Sequence, residues 1–314
     1  MKKISVILTL VLALVANGCK TKNEKANDKD SPRIESTYLG QKPPGLIPEL
    51  FAPGVISING RYEHGISFSP TLDEVYFSAN NKDEDPSIYF SKLEGKKWTT
   101  PKKANFTKGK KVGEMHPFVN PKGDQIYFTA HDEFTLPEHK ESIKTWVVNR
   151  LENSWSTAIQ LDSPVNDDFV FYSNQAKNGD LYYTNVSKRK MYYAPNKNGK
   201  FPEVKELGIE VGFHGFISPS QDYLVVNARN KEDAQRKSDI YVYFKKKDGT
   251  WSKPINLGKE VNSNFSETCP SITPDGKYLF FGRYNEEGGI SNFYWVSTEI
   301  ISKLKTTYFK KSEQ

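Results

Sequence analysis

Only two cysteines, Cys19 and Cys269, occur in 314 residues, so the chain has no disulfide framework to hold it. Its body must be held by its own apolar core, for which nearly 300 residues are ample. Stretches of Ala, Leu and Glu at helical period are missing, apart from a short one around Thr298 to Lys305, which excludes an α-rich fold. No apolar run approaches the roughly twenty residues that span a hydrocarbon core. Catalytic signatures are also missing. There is no Gly-x-Ser-x-Gly, no His-Glu-x-x-His, no phosphate loop, no Cys-x-x-Cys and no Ser-x-Asp-x-Gly-x-x-Trp box, so no motif names an enzyme. The net charge of +6 comes from lysines scattered through turns such as Lys108-Gly109-Lys110-Lys111 and Lys245-Lys246-Lys247, which is solvated turn chemistry and not a nucleic-acid stripe.

The N-terminus has the order of a secretory signal: Lys2 and Lys3, an apolar run from Ile4 to Val15, then Ala16-Asn17-Gly18 before Cys19. That junction resembles the bacterial lipobox, with Ala16 where leucine is usual, and the resemblance implies that Cys19 is lipidated and residues 1–18 are removed. Removal takes two lysines and no acid, so the charge falls from +6 to +4. Residues 19–37 are Lys, Asn, Asp, Glu and Ser with few apolar side chains, the composition of a flexible tether. The expected partner is a membrane, reached through the lipid; the expected location is the cell envelope, on the periplasmic or surface side of the outer membrane.

Residues 38–314 repeat with a period of about fifty. Ile66-Ser67-Phe68-Ser69-Pro70 followed by Glu74-Val75-Tyr76-Phe77 matches Pro117-Phe118-Val119-Asn120-Pro121 with Gln125-Ile126-Tyr127-Phe128. It also matches Phe216-Ile217-Ser218-Pro219 with Tyr223-Leu224-Val225-Val226, and Ser271-Ile272-Thr273-Pro274 with Lys277-Tyr278-Leu279-Phe280-Phe281. A degenerate copy lacks the proline and runs through Asn178-Gly179-Asp180-Leu181-Tyr182-Tyr183. Each copy is a hairpin. A third aromatic strand follows, as in Ile240-Tyr241-Val242, and then a fourth element in Trp98-Thr99-Thr100-Pro101, Trp155-Ser156-Thr157-Ala158, Phe201-Pro202-Glu203-Val204 and Trp251-Ser252-Lys253-Pro254. Four strands per unit is a propeller blade. The last unit has no fourth strand after Trp295, and Leu46-Ile47-Pro48-Glu49-Leu50-Phe51 can supply it. The expectation is an all-β propeller of five four-stranded blades closed by the N-terminal strand, with six blades as the alternative. The many Tyr and Phe recur at blade-core spacing and are expected to pack between blades.

The Thr273-Pro274-Asp275-Gly276-Lys277-Tyr278-Leu279 hairpin, Asp239-Ile240-Tyr241-Val242, and Trp251-Ser252-Lys253-Pro254-Ile255-Asn256-Leu257-Gly258 resemble the TolB-like, WD-like propeller repeats of bacterial envelope lipoproteins. The resemblance covers roughly residues 44 to 305 and implies fold and envelope location; such propellers serve both as binding platforms and as enzymes.

Position within the repeat selects candidate site residues. Seven residues before the turn proline lie Glu63, Glu114 and Glu267; five before it lie His116, His214 and Cys269, with Tyr172 equivalent in the degenerate unit. A separation of two suggests one strand face and one axial funnel. His64 adjoins this set, and the loops after the second strands add His131, Arg229 and Arg283. Four of the five histidines fall at this mouth. Histidine with glutamate can hold a divalent ion or move a proton; no other cofactor is implied, and Cys269 reads as a small inner-strand filler.

Two functions fit. The first is a binding module that takes a glycan, peptide or protein at the funnel. The alternative is a polysaccharide-degrading hydrolase or metal-assisted lyase using the funnel His and Glu residues. The anchor is testable at once: Cys19→Ala should move the protein from the membrane to the soluble fraction, and membrane retention at the wild-type level would refute it.

Overall fold

The computed structural model describes residues 37–132, 143–230, 237–285 and 290–312; the signal segment, Cys19 and the tether up to residue 36 lie outside the described residues. The hairpins owe their turns to the residue before each proline. The Ser69 hydroxyl accepts from the backbone N–H of Asp73 and Glu74, the Asn120 amide oxygen from Asp124 and Gln125, the Ser218 hydroxyl from Asp222 and Tyr223, and the Thr273 hydroxyl from Tyr278. Short polar side chains that bond forward to the backbone are turn-formers for this reason.

Strand β1 is Glu49–Leu50. The first unit is β2 (Arg61–Phe68), β3 (Glu74–Asn81) and β4 (Ser87–Glu94), with outer pieces β5 (Lys97–Trp98) and β6 (Lys102–Lys103) both on β4. The second is β7 (Gly113–Val119), β8 (Gln125–His131), β9 (Lys144–Asn149) and β10 (Ile159–Gln160). The third is β11 (Val170–Gln175), β12 (Leu181–Asn185), β13 (Lys190–Ala194) and β14 (Lys205–Glu206), and the fourth is β15 (Phe213–Ile217), β16 (Tyr223–Arg229), β17 (Ser238–Phe244) and β18 (Ile255–Asn256). The last is β19 (Ser266–Ile272), β20 (Tyr278–Asn285) and β21 (Ile290–Ser297), to which β1 adds antiparallel, with Glu49 opposite Trp295 and Leu50 opposite Tyr294. Helix α1 (Glu299–Ser312) follows. The middle units are separate four-stranded sheets, while the first and last join through a single parallel pair, Tyr62 with Ser291. The first strands pack in sequence, β2 on β7, β7 on β11, β11 on β15, β15 on β19, and β19 on β2.

Two expectations need correction. In the second to fourth units the outer strand is only two residues long and starts beyond Trp155, Phe201 and Trp251. Trp155 and Trp251 instead close bridges with Arg150 and Lys245. Pro202 and Pro254 have no N–H for a ladder, which moves pairing past them. The terminal helix is also longer than its short apolar signal. It packs Tyr308 and Phe309 on Phe244 and pairs Lys305 with Asp222 at 2.6 Å. Among the described residues no helix is long and apolar enough to cross a membrane.

Apolar clusters lie between neighbouring units, as the aromatic spacing suggested. Tyr76 and Ile88 of the first unit meet Phe128 and Val148 of the second. Between the first and last units, Phe68, Phe77, Phe280 and Trp295 enclose Phe51, which is fully buried just after β1, with ring centroids 4.9 Å from Phe280 and 5.2 Å from Trp295. Truncating a buried phenylalanine costs about 3–5 kcal/mol through lost transfer energy and the cavity left behind. Phe51→Ala should therefore lower the denaturant-unfolding free energy by about that much; a loss below about 1 kcal/mol would mean that this segment does not hold the first and last units together.

Candidate functional site

Each innermost strand carries a bulge at the same place. The register shifts between His64 and Ile66, Met115 and Phe118, Phe171 and Asn174, Phe213 and Phe216, and Thr268 and Ser271. One residue in each bulge is left-handed: Gly65 (φ 64°), His116 (54°), Tyr172 (61°), His214 (45°) and Cys269 (50°). Each stands four positions before the residue that opens the turn, namely Ser69, Asn120, Ala176, Ser218 and Thr273. The third hairpin is one residue shorter, closing from Ala176 N–H to Asp180 C=O, so counting back from a proline could not align it. Tyr172 is nonetheless its equivalent. A Cβ at Gly65 would be crowded, 3.0 Å from His116 Cδ2 and 3.2 Å from His116 Cα, in a left-handed conformation that glycine adopts without strain.

These bulges bring His64, His116, Tyr172, His214 and Cys269 together. Ring centroids are 5.0 Å apart for His64 and His116, 5.5 Å for His116 and His214, and 5.1 Å from Tyr172 to each of His116 and His214. Cys269 Sγ lies 4.0 Å from His116 Nε2. Tyr172 donates its hydroxyl to Pro270 C=O, and Asn227 Oδ1 lies 2.9 Å from His214 Nδ1. Burial dominates the electrostatics. It pushes His64 down to about 3, helped by the charge His214 would carry, and His214 down to about 4 against the opposing bond to Asn227. It holds His116 well below the usual imidazole range and pushes the Cys269 thiol up to about 12. At neutral pH the layer is uncharged.

The glutamates are engaged elsewhere. Glu63 Oε1 accepts from Ile58 N–H and Arg61, and Oε2 accepts from Asn292. Glu114 accepts from Phe106 N–H, Thr107 N–H and the Thr107 hydroxyl. Glu267 accepts from Ser263 N–H, the Ser263 hydroxyl and Arg283. Each carboxylate thus ties down the loop leading into its own strand, and the even spacing to the histidines does not produce shared contacts, because a left-handed residue breaks the two-residue alternation. Burial raises Glu63 to about 7 against its hydrogen bonds, and raises Glu267 as well. Arg283 is a strut: it pairs with Glu267 at 2.8 Å, donates to Val261 C=O and lies 4.3 Å over the Tyr294 ring. His131 is buried with Nδ1 2.6 Å from Asp132 C=O, and its ring covers Gly113, where a Cβ would be 2.0 Å from Nε2.

Beside the histidine layer opens a cavity of about 1000 Å³. His214 and the predicted Arg229 line it, together with residues that sequence reasoning missed: Arg189, Phe213, Asn227 and Tyr284. Of the residues expected in loops after the second strands, His131 and Arg229 instead end β8 and β16 and Arg283 lies within β20, because those strands run further than their apolar cores. Arg189 does lie in the corresponding loop of the third unit, and that position is the signal that could have found it. Among the described residues neither Arg189 nor Arg229 has an ion pair, and the cavity's one carboxylate is Glu210.

No protein-family profile matches the chain, and no curated protein matches it in sequence. Solved structures do match. They include TolB from Agrobacterium tumefaciens (15% identity, 72% of each chain covered, TM-score 0.46). They also include the GH43 protein BlXynB from Bacillus licheniformis (10% identity, 80% of this chain and 54% of that one, TM-score 0.51). A third is the alpha-L-arabinofuranosidase PaAbf62A from Podospora anserina in complex with cellotriose (8% identity, 81% and 97% covered, TM-score 0.52). The chain spans about half the length of BlXynB. At such identities the likeness concerns the fold alone. The chain is an all-β protein of propeller architecture, and TolB is among the structures it resembles.

The buried histidines set an acid limit. A base whose folded pKa lies below its unfolded value contributes its full stability above the unfolded value of 6.5. As pH falls from there toward 4, the unfolded chain takes up the proton first and the contribution is lost. His214→Gln should therefore lose about 1–2 kcal/mol less stability than wild type between pH 7 and pH 5 in denaturant titrations; an unchanged increment would refute a buried, neutral His214.

Proposed function

We propose that the chain is a lipid-anchored, five-bladed propeller of the cell envelope that binds an acidic oligosaccharide in the cavity beside its axial histidine layer. Five blades and closure are supported by β1 serving as fourth strand on β21 and by first-strand packing that returns from β19 to β2. The N-terminal signal and Cys19 support export and anchoring.

The observation that carries the ligand reading is the cavity lining. Two arginines without ion pairs among the described residues stand there with Ser238, Ser266, Tyr284, Asn227, Asn230 and the Phe213 ring. Hydroxyl and amide groups match a sugar's hydrogen bonds, an aromatic ring stacks on its apolar face, and arginine forks match carboxylates. Glu63, Glu114 and Glu267 are spent on their own loops, which favours binding over carboxylate-pair hydrolysis.

Calorimetry with a uronic-acid oligosaccharide, and with cellotriose as the neutral comparator, tests the reading. The acidic sugar should bind and cellotriose should not. Arg189→Ala/Arg229→Ala should weaken binding at least tenfold, since a hydrogen bond to a charged group contributes about 1.5–3 kcal/mol. No binding, equal binding by the double variant, or cleavage of the sugar would each overturn the reading.

A further inference from the structure

His64, His116 and Cys269 come from the inner strands of three different units, β2, β7 and β19, and are at most 6% exposed. One donor atom from each lies within 4.8 Å of the other two. Ligand atoms around a tetrahedral zinc ion, with bonds of about 2.0–2.3 Å, sit about 3.3–3.6 Å apart. Cys269 Sγ and the nearest His116 nitrogen, Nε2, are 4.0 Å apart. They need to close by only about 0.5 Å to reach that spacing, and no pair by more than about 1.5 Å. A small hydrophobic filler would not need two imidazoles beside the thiol.

We propose that His64, His116 and Cys269 form a transition-metal site that takes Zn²⁺ through two imidazole nitrogens and one thiolate. The donor set selects the ion: sulfur and imidazole suit zinc, whereas calcium and magnesium take oxygen. On binding, the S–H bond breaks, the proton leaves to solvent and the Zn–S bond forms; no redox change is involved. The cation's charge stabilises the thiolate that it binds. Three protein ligands leave a fourth position open. His214 stands between His116 and the cavity. Asn227 Oδ1 accepts from the Cys269 N–H at 3.3 Å and so holds the ligand strand in place, as outer-shell partners of metal sites do.

The experiment uses the full chain in detergent, titrated with zinc sulfate in a calorimeter and separately with Co²⁺. Cys19→Ala is run in parallel so that any thiolate signal belongs to Cys269. One equivalent of zinc should bind, and Co²⁺ should give a thiolate-to-metal charge-transfer band that persists in Cys19→Ala. His116→Ala and Cys269→Val should each weaken zinc at least 100-fold. If either variant fails to fold, as judged by near-ultraviolet circular dichroism, the Co²⁺ spectrum of the Cys19→Ala protein decides. Absence of stoichiometric zinc, a cobalt spectrum without the thiolate band, or undiminished binding by the folded variants would overturn the site. Sugar binding in the cavity is read separately, so the two proposals can fail independently.

Discussion

A left-handed residue in the bulge of each inner strand is the constraint on which the axis depends. Outside glycine that conformation costs about 1–2 kcal/mol, and here His116, Tyr172, His214 and Cys269 all adopt it. It is held by side chains of the preceding unit. The Ser78 hydroxyl accepts from His116 N–H, Asn174 accepts from Ile217 N–H and donates to Gly215 C=O, and Asn227 accepts from Cys269 N–H. Thr145 and Ser173 join the second unit to the third at 2.8 Å. The same bonds that satisfy the bulged backbone therefore fix one unit against the next, and strain at the axis is compensated by the contacts that build it.

Polar burial around this ring divides by task. The glutamates of the first, second and last units receive loop N–H groups that would otherwise be buried without partners, which is why a carboxylate recurs where an apolar side chain would serve packing equally well. At the periphery Glu74 takes a two-pronged contact from Arg150, whose guanidinium lies 4.2 Å over Trp155 while Trp155 donates to the Tyr76 hydroxyl. That network spans the first two units from the outside as Ser78 does from within. Helix α1 does comparable work on the fourth unit.

Much of this was legible from the sequence because hairpins announce themselves locally. A Ser, Asn or Thr before proline, then a strand rich in Tyr and Phe, needs only a few residues to be recognised. The role of Glu49–Phe51 was legible by elimination, since the last unit lacked a partner strand. Tryptophan ahead of each outer strand looks like strand chemistry, although Trp155 and Trp251 form only isolated bridges, each under a cation. Even spacing from the histidines implies one face for the glutamates, and a left-handed bulge defeats that rule without leaving a sequence mark when its residue is histidine instead of glycine. Arg189 was hidden by the degenerate third unit, whose shorter turn removed the reference point for counting.

Asn227 joins the cavity to the axial layer. Its oxygen faces both His214 Nδ1 and the Cys269 N–H, and its nitrogen donates to Ser238, so its hydrogen-bonding capacity is nearly all committed while it lines the cavity wall. A ligand in the cavity therefore meets a wall already fixed by the backbone of the layer beneath. Binding to such a surface requires little ordering of the protein, which favours affinity from a few well-placed polar groups. Conversely, any ligand group that draws Asn227 away loosens the bulge carrying Cys269. Asn227 thus touches both the cavity and the strand that carries Cys269.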